Sequence, residues 1–261
     1  MNKFRISDVI KIVFWRLHWL KTRREITGSD STMEDPRSAD VAICAIAVGT
    51  DHLKMAHLML KSLRLIGHFS GPVFIFTDEP DFFSESKNVK TIRIPSRLSI
   101  MGIKQFKTWI TKCIPFKYVL YVDVDIVIGR DIKPWLDTAK DAADEHPLVL
   151  FWDHAATEKY YHSGVFLINR NVYKKISLKW RCQIWLKGYS RDQKTLKRSV
   201  RSGTDVQLMP KEDMNFLGQT NAGLDSVATF NHITGRARRL LDLEKLDKFL
   251  EHLDAAHLYT D

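Results

Sequence analysis

The chain has 261 residues, of which 44% are apolar and 27% charged, enough to bury a full-sized core and ordinary for a soluble globular protein. Its three cysteines, Cys44, Cys113 and Cys182, form no CxxC pair. That spacing argues against a zinc knuckle or a disulfide framework and suits a reducing, cytoplasmic setting. The net charge of +9 favours an anionic partner such as acidic lipid, nucleic acid or a phosphorylated substrate.

Residues 1–25 set seven Lys and Arg residues against Asp8 and Glu25. Phe4, Ile6, Ile10, Val13, Phe14, Leu17 and Leu20 recur at helical spacing, while Asp8, Lys11 and Arg16 interrupt the apolar run. The interruptions rule out a spanning helix or a signal-peptide core. The pattern predicts a basic amphipathic helix over residues 1–26, lying on an anionic membrane surface or packed on its own domain. The polar, aperiodic stretch "TGSDSTMEDPRSAD" reads as a linker over 27–40. A single domain over 41–261 follows.

That domain alternates element types. "VAICAIAV" (41–48) is a continuous apolar run, as in a buried parallel strand. Met55, Ala56, Met59, Leu60 and Leu63 mark one face of a helix that closes at Gly67. Strands follow at "PVFIFTD" (72–78) and "VKTIRIP" (89–95), a helix near 103–112, then "YVLYVDVDIVIG" (118–129). "PLVLFW" (147–152) and "GVFLIN" (164–169) continue the series. Strand–helix–strand alternation predicts an α/β fold, with a Rossmann-like, mostly parallel sheet flanked by helices.

In such sheets ligands gather at the carboxyl ends of strands. Asp123 and Asp125 fall where the 118–122 strand ends, so the pair belongs at the ligand edge. Two hard carboxylates two residues apart suit Mg²⁺ or Mn²⁺ held beside phosphates. Alone, a D-x-D triplet is a weak signal, since a turn or capping pair has the same spacing. Two metal-dependent chemistries fit "DVDIV". One is the haloacid-dehalogenase phosphatase pattern, which places its D-x-D on the first core strand and requires a late acidic pair. Here the motif comes on about the fourth strand, and no adjacent Asp–Asp occurs.

The other is nucleotide-sugar transfer, and the match extends over residues 41–238. "YVLYVDVDIVIGRDI", "YHSGVFLIN" (161–169), "FNHITGRAR" (230–238) and Lys107 resemble, in order, segments of the GT-A glycosyltransferases. They are most similar to retaining glycosyltransferase family 8, the glycogenin and bacterial lipopolysaccharide glycosyltransferase type. The resemblance implies a GT-A fold and a hexose donor such as UDP-glucose or UDP-galactose. Mn²⁺, or Mg²⁺, would be held by Asp123, Asp125 and His232. It implies donor contacts from Lys107, Gly235 and Arg238, the last standing where the family has lysine. Val124 would offer backbone groups to the ribose, and Val48, Gly49 and Thr50 would bracket the base. His162 replaces the family's Asn before Ser163 and Gly164, at a position that touches the transferred sugar. The family's active-site carboxylate is blurred. Asp205 in "GTDVQLM" is preferred because an apolar stretch follows it, and Asp192 in "RDQKTLK" is the alternative, with more cationic neighbours.

The implied acceptor is a glycan or glycolipid, reached from the cytoplasm or peripherally at the inner face of a membrane. A non-catalytic nucleotide-sugar-binding module on the same fold is a further reading. The basic clusters lack a nucleic-acid-binding motif, and the second has no interleaved aromatics, so no nucleic-acid partner is expected.

Overall fold

The structure is a computed structural model that describes residues 40–84, 86–94, 100–153, 160–187, 192–217 and 228–233, with Ile10 and Val13. Apart from Ile10 and Val13, the helix expected at 1–26 lies outside the described residues, as do the linker up to residue 39, Gly235 and Arg238.

Seven strands form the main sheet in the order β3-β2-β1-β4-β7-β6-β8. They are β1 (Val41–Ala47), β2 (Val73–Thr77), β3 (Val89–Arg93), β4 (Tyr118–Val122), β6 (Leu148–Asp153), β7 (Tyr160–Asn169) and β8 (Val206–Leu208). All pairings are parallel except those of β7, which runs antiparallel to both β4 and β6. The mostly parallel α/β architecture read from the sequence is therefore present.

Helices α1 (Thr50–Leu65) and α3 (Lys133–Glu145) cover one face. Helices α2 (Ile100–Cys113), α4 (Lys174–Lys187) and α5 (Asp192–Ser199) cover the other. Val41, Ile43 and Ala45 of β1 pack with Met59, Leu63, Leu120 and Leu136 on the first face. Ala42, Cys44 and Ile46 pack with Phe106, Tyr121, Phe166 and Trp180 on the second. Alternate residues of one strand thus enter two cores, which is why β1 reads as an unbroken apolar run. Neither Cys44 nor Cys182 forms a disulfide.

A three-stranded sheet, β5 (Ile126–Ile128), β10 (Phe230–Ile233) and β9 (Met214–Leu217), leaves the main sheet where β4 ends. Its short strands gave no separate sequence signal. In the main sheet, the chain moves outward from β1 through β2 to β3, then returns to place β4 on the other side of β1. This reversal opens a crevice at the carboxyl ends of β1 and β4, where α/β sheets take their ligands.

Candidate active site at the carboxyl ends of β1 and β4

β4 stops at Val122, and a turn closed by Ile126 N–H donating to the Asp123 carbonyl (3.1 Å) redirects the chain into β5. β10 then pairs antiparallel with β5, placing His232 opposite Ile126. The Ile233 N–H donates to the Asp125 carbonyl at 2.8 Å. These backbone bonds bring two residues 107 positions apart into contact: His232 Nε2 lies 3.2 Å from Asp125 Oδ2. His232 stands on a strand, and the register fixes it. His232 Nδ1 is in turn 3.2 Å from Nε2 of His162, on β7. Val124 buries its side chain in the first core, so it can offer a ligand only backbone.

Lys107 reaches this turn from α2. It is 4% exposed, and its Nζ donates to both Asp123 oxygens at 3.1 and 3.2 Å. It also contacts Asp192 Oδ2 at 3.4 Å and lies 4.5 Å above the Tyr121 ring. The Tyr121 hydroxyl donates to Asp123 Oδ1 at 2.6 Å. Burial first, then the Asp123 charge, pushes the Tyr121 phenol well up, so it stays a protonated donor.

Asp192 opens α5 and accepts from the Ser163 hydroxyl at 3.0 Å. Its side chain is 14% exposed, with Lys104 3.8 Å away. Burial alone would raise its pKa, but Lys107, Lys104 and Ser163 outweigh burial and hold the carboxyl at about 2. Beside it, Gln193 donates to Asp153 Oδ2 at 2.7 Å, at the carboxyl end of β6. Asp153 was missed in the sequence, although the strand-end rule that exposed Asp123 applies to it equally.

The two histidines are neutral near pH 7. Burial chiefly lowers His162, with His232 and Lys107 adding to it. Burial also lowers His232, with Asp123 and Asp153 opposing. His162 Nδ1 is buried without a hydrogen-bond partner among the described residues.

Asp205 is not brought to this cluster. It precedes β8, whose Val206 pairs with Leu148 at the start of β6. Because β6 and β4 both run antiparallel to β7, that start lies at the sheet edge opposite Asp123. Arg201 holds the Asp205 carboxylate through its backbone N–H at 2.8 Å and its guanidinium at 3.1 Å. The carboxylate among the expected residues that joins the cluster is Asp192. The cations that allow its charge to be buried are Lys104 and Lys107 of α2, not the basic residues beside it in the sequence.

At the end of β1, Gly49 has φ of 81° and caps α1, its N–H donating to Asp78 Oδ1 at 3.2 Å. A side chain would be strained in this backbone conformation. The turn leaves the N-terminus of a sixteen-residue helix at the crevice, an arrangement that favours anions. Val48 is half-buried and Thr50 exposed. Gly164 is required for a different reason. A Cβ there would stand 2.6 Å from His162 Cε1 and 2.9 Å from Asp123 Oδ2, so only glycine lets β7 pass the D-x-D turn.

The donor set can be tested against a divalent ion. Among the described residues, four carboxylates, Asp123, Asp125, Asp153 and Asp192, stand with the ammonium groups of Lys104 and Lys107 and two neutral imidazoles, a set rich in negative charge. The 3.2 Å between Asp125 Oδ2 and His232 Nε2 suits neighbouring ligands that each lie about 2.1 Å from one ion. Asp123 is engaged by Lys107 and Tyr121. Among the described residues no three His, Cys, Asp or Glu side chains are arranged to hold a metal by themselves. The residues therefore fit a two-donor half-site, to be completed by oxygens of a bound phosphate.

A mostly parallel seven-stranded sheet flanked by helices is consistent with a GT-A fold. Solved structures share it. The chain matches the glycosyltransferase GlyE of Streptococcus pneumoniae with a TM-score of 0.57 at 12% identity, covering 81% of this chain and 64% of that one. It matches the bifunctional glycosyltransferase WbbM with a TM-score of 0.58 at 12% identity, covering 80% and 47%. The galactosyltransferase LgtC, solved in complex with donor and acceptor sugar analogues, gives 0.54 at 14% identity, covering 81% and 95%. The chain thus spans just under two thirds of GlyE and about half of WbbM. At these identities the likeness is one of fold. No protein-family model and no curated protein sequence matches the chain.

Proposed function

We propose that the chain is a metal-dependent hexosyltransferase. It moves a hexose from a nucleoside diphosphate sugar, UDP-glucose or UDP-galactose, to a glycan or glycolipid acceptor with retention of configuration. The observation that carries this reading is the convergence of Asp125 with His232, and of Asp123 with Lys107 and Asp192, at one switch-point crevice. The fold shared with solved glycosyltransferases supports it. The phosphatase reading gains nothing from the geometry, since the aspartates follow the fourth strand and Asp123 is held by an ammonium and a phenol.

Asp125 and His232 would hold Mn²⁺ or Mg²⁺, with Asp123 as the third expected ligand. The ion would offset the charge that develops on the departing diphosphate. His162, by bonding to His232 Nδ1, leaves Nε2 of His232 directed at Asp125, so the imidazole is oriented before a ligand arrives. Lys107 brings a buried ammonium to the same place and shares the leaving-group charge. Asp192, ionised at any physiological pH and positioned by Ser163, stabilises positive character at the anomeric carbon. Gly49 and the start of α1 receive the nucleotide, with Val48 and Thr50 beside its base and Val124 presenting backbone. Gly235 and Arg238 would complete the diphosphate contacts.

The test is a screen of UDP-sugars for Mn²⁺-stimulated hydrolysis without acceptor, followed by proton NMR of the first product anomer. An α-configured product from a UDP-α-hexose supports the assignment. A β anomer removes retention, and release of inorganic phosphate without sugar restores the phosphatase reading.

A further inference from the structure

Helix α4 departs from the usual pattern of a surface helix. Its inner side is buried in the second core through Tyr173 just before it, then Ile176, Trp180 and Ile184. Such a helix ordinarily turns charged and polar residues outward. Here Leu178 is 51% exposed, Trp185 57% and Leu186 72%. These three share the outer face with Lys174, Lys175 and Lys179, all exposed. α4 contains no acidic residue.

α5 packs against α4 in the same layer and adds exposed Lys197 and Arg198. From residue 174 to residue 201 the chain carries ten Lys and Arg residues and one carboxylate. That carboxylate, Asp192, is turned inward to Lys107 and Ser163. Among the described residues of α4 and α5, the exposed face is therefore an apolar ridge flanked by cations. Exposed large apolar side chains grouped on one face mark an interaction surface. A protein partner or a second copy of this chain would have to bring acidic groups to match the cations. The exposed faces of α4 and α5 offer none, so a symmetric self-contact would set like charges together. An anionic bilayer supplies negative charge and a place for indole and leucine at the headgroup boundary.

We propose that the outer face of α4, flanked by α5, docks on an anionic membrane surface. Among the described residues no helix is long and apolar enough to cross a membrane, so the attachment is peripheral. This surface is distinct from the basic segment at residues 1–25, and it lies on the layer whose α5 begins at the candidate site. Docking there would hold the crevice close to the headgroup plane, where a lipid-linked acceptor presents its sugar. That last step rests on the transferase reading; the docking does not.

The experiment is co-sedimentation of the full-length chain with phosphatidylcholine vesicles, alone or containing phosphatidylglycerol. The wild type should pellet with anionic vesicles only and be released as salt is raised, because exposed charges are screened. Trp185→Ser with Leu186→Ser, and separately Lys174→Glu with Lys175→Glu and Lys179→Glu, should each weaken vesicle partition by about tenfold or more. Both variants should keep the wild-type thermal midpoint and UDP affinity, since no altered residue lines the crevice. Unchanged partition in both variants would overturn the proposal and leave residues 1–25 as the anchor. Equal binding to neutral vesicles, or no binding by the wild type, would overturn it too. So would a dimer in sedimentation velocity that the variants abolish while vesicle binding persists.

Discussion

Asp192 and Asp205 are each joined to cations, yet they stand at opposite edges of one sheet and do different things. Asp192 meets Lys107 and Ser163 across long sequence separations, in a buried network that also engages Asp123. Asp205 meets Arg201 four residues away, and that arginine side chain is 71% exposed. The first pair joins α2, α5 and the turn after β4. The second closes a local turn before β8. A carboxylate tied to distant elements reports on a site, whereas one tied to its own turn reports on the turn.

The largest separation between them should come from Asp192→Asn. Removing this charge from the candidate site should lower sugar transfer by about 100-fold or more, measured as kcat with a fixed UDP-hexose, while Asp205→Asn stays near wild type. Stability should separate them as well. A carboxyl held at about 2, against an ordinary value near 3.9, corresponds to roughly 2–3 kcal/mol at neutral pH. The folded-state value is the depressed one, so this contribution is full above about pH 4 and declines as pH falls towards 2. Urea denaturation should show the gap between wild type and Asp192→Asn narrowing over that window. Equal activity in the two asparagine variants would break the comparison.

The sheet was legible because buried parallel strands leave continuous apolar runs, and β1, β2 and β4 each did so. Asp123 and Asp125 were legible because a polar pair inside such a run must lie at its end. β5, β9 and β10 were not, since three or four residues carry too little periodicity to separate a strand from a loop. The contact of His232 with Asp125 was inferred by resemblance and found through strand pairing. Asp192 was set second because cationic neighbours along a sequence signal solvation as readily as burial. Only the fold shows that Lys104 and Lys107 come from another helix. Asp153 and Tyr121 acquire their roles solely from what they touch.

His162→Asn sharpens the comparison on the crowded edge. The substitution restores the residue type expected before Ser163 and removes the imidazole that contacts His232 Nδ1. If that contact orients His232, Mn²⁺ affinity in the presence of UDP should fall by about 10- to 100-fold, read by calorimetry. The fold should persist, because asparagine is smaller than the ring it replaces. An unchanged Mn²⁺ affinity would leave His162 a space-filling residue only.

Gly164→Ala probes the same edge through space rather than charge. The added methyl would meet His162 and the Asp123 carboxylate, and overpacking of this kind costs about 1–3 kcal/mol. A fall in thermal midpoint together with weaker UDP binding is expected, because the displaced group is Asp123. A lower midpoint with unaltered UDP binding would show that β7 shifts and spares the turn.

The smallest effect belongs to the open edge. Arg201→Ala removes the guanidinium from Asp205 but keeps the backbone N–H that also holds it at 2.8 Å. A pair four residues apart whose arginine is largely exposed contributes on the order of 1 kcal/mol, and Arg201 lies at the sheet edge away from Lys107 and Asp192. The variant should therefore lose a few tenths of a kcal/mol in urea denaturation, with kcat and KM for the donor unchanged. Raising salt should narrow that difference, since the guanidinium of the wild-type pair is open to screening. A clear loss of donor turnover in Arg201→Ala would mean that this turn communicates with the crevice. The division between a local carboxylate and a networked one would then fail at the place where it is simplest to test.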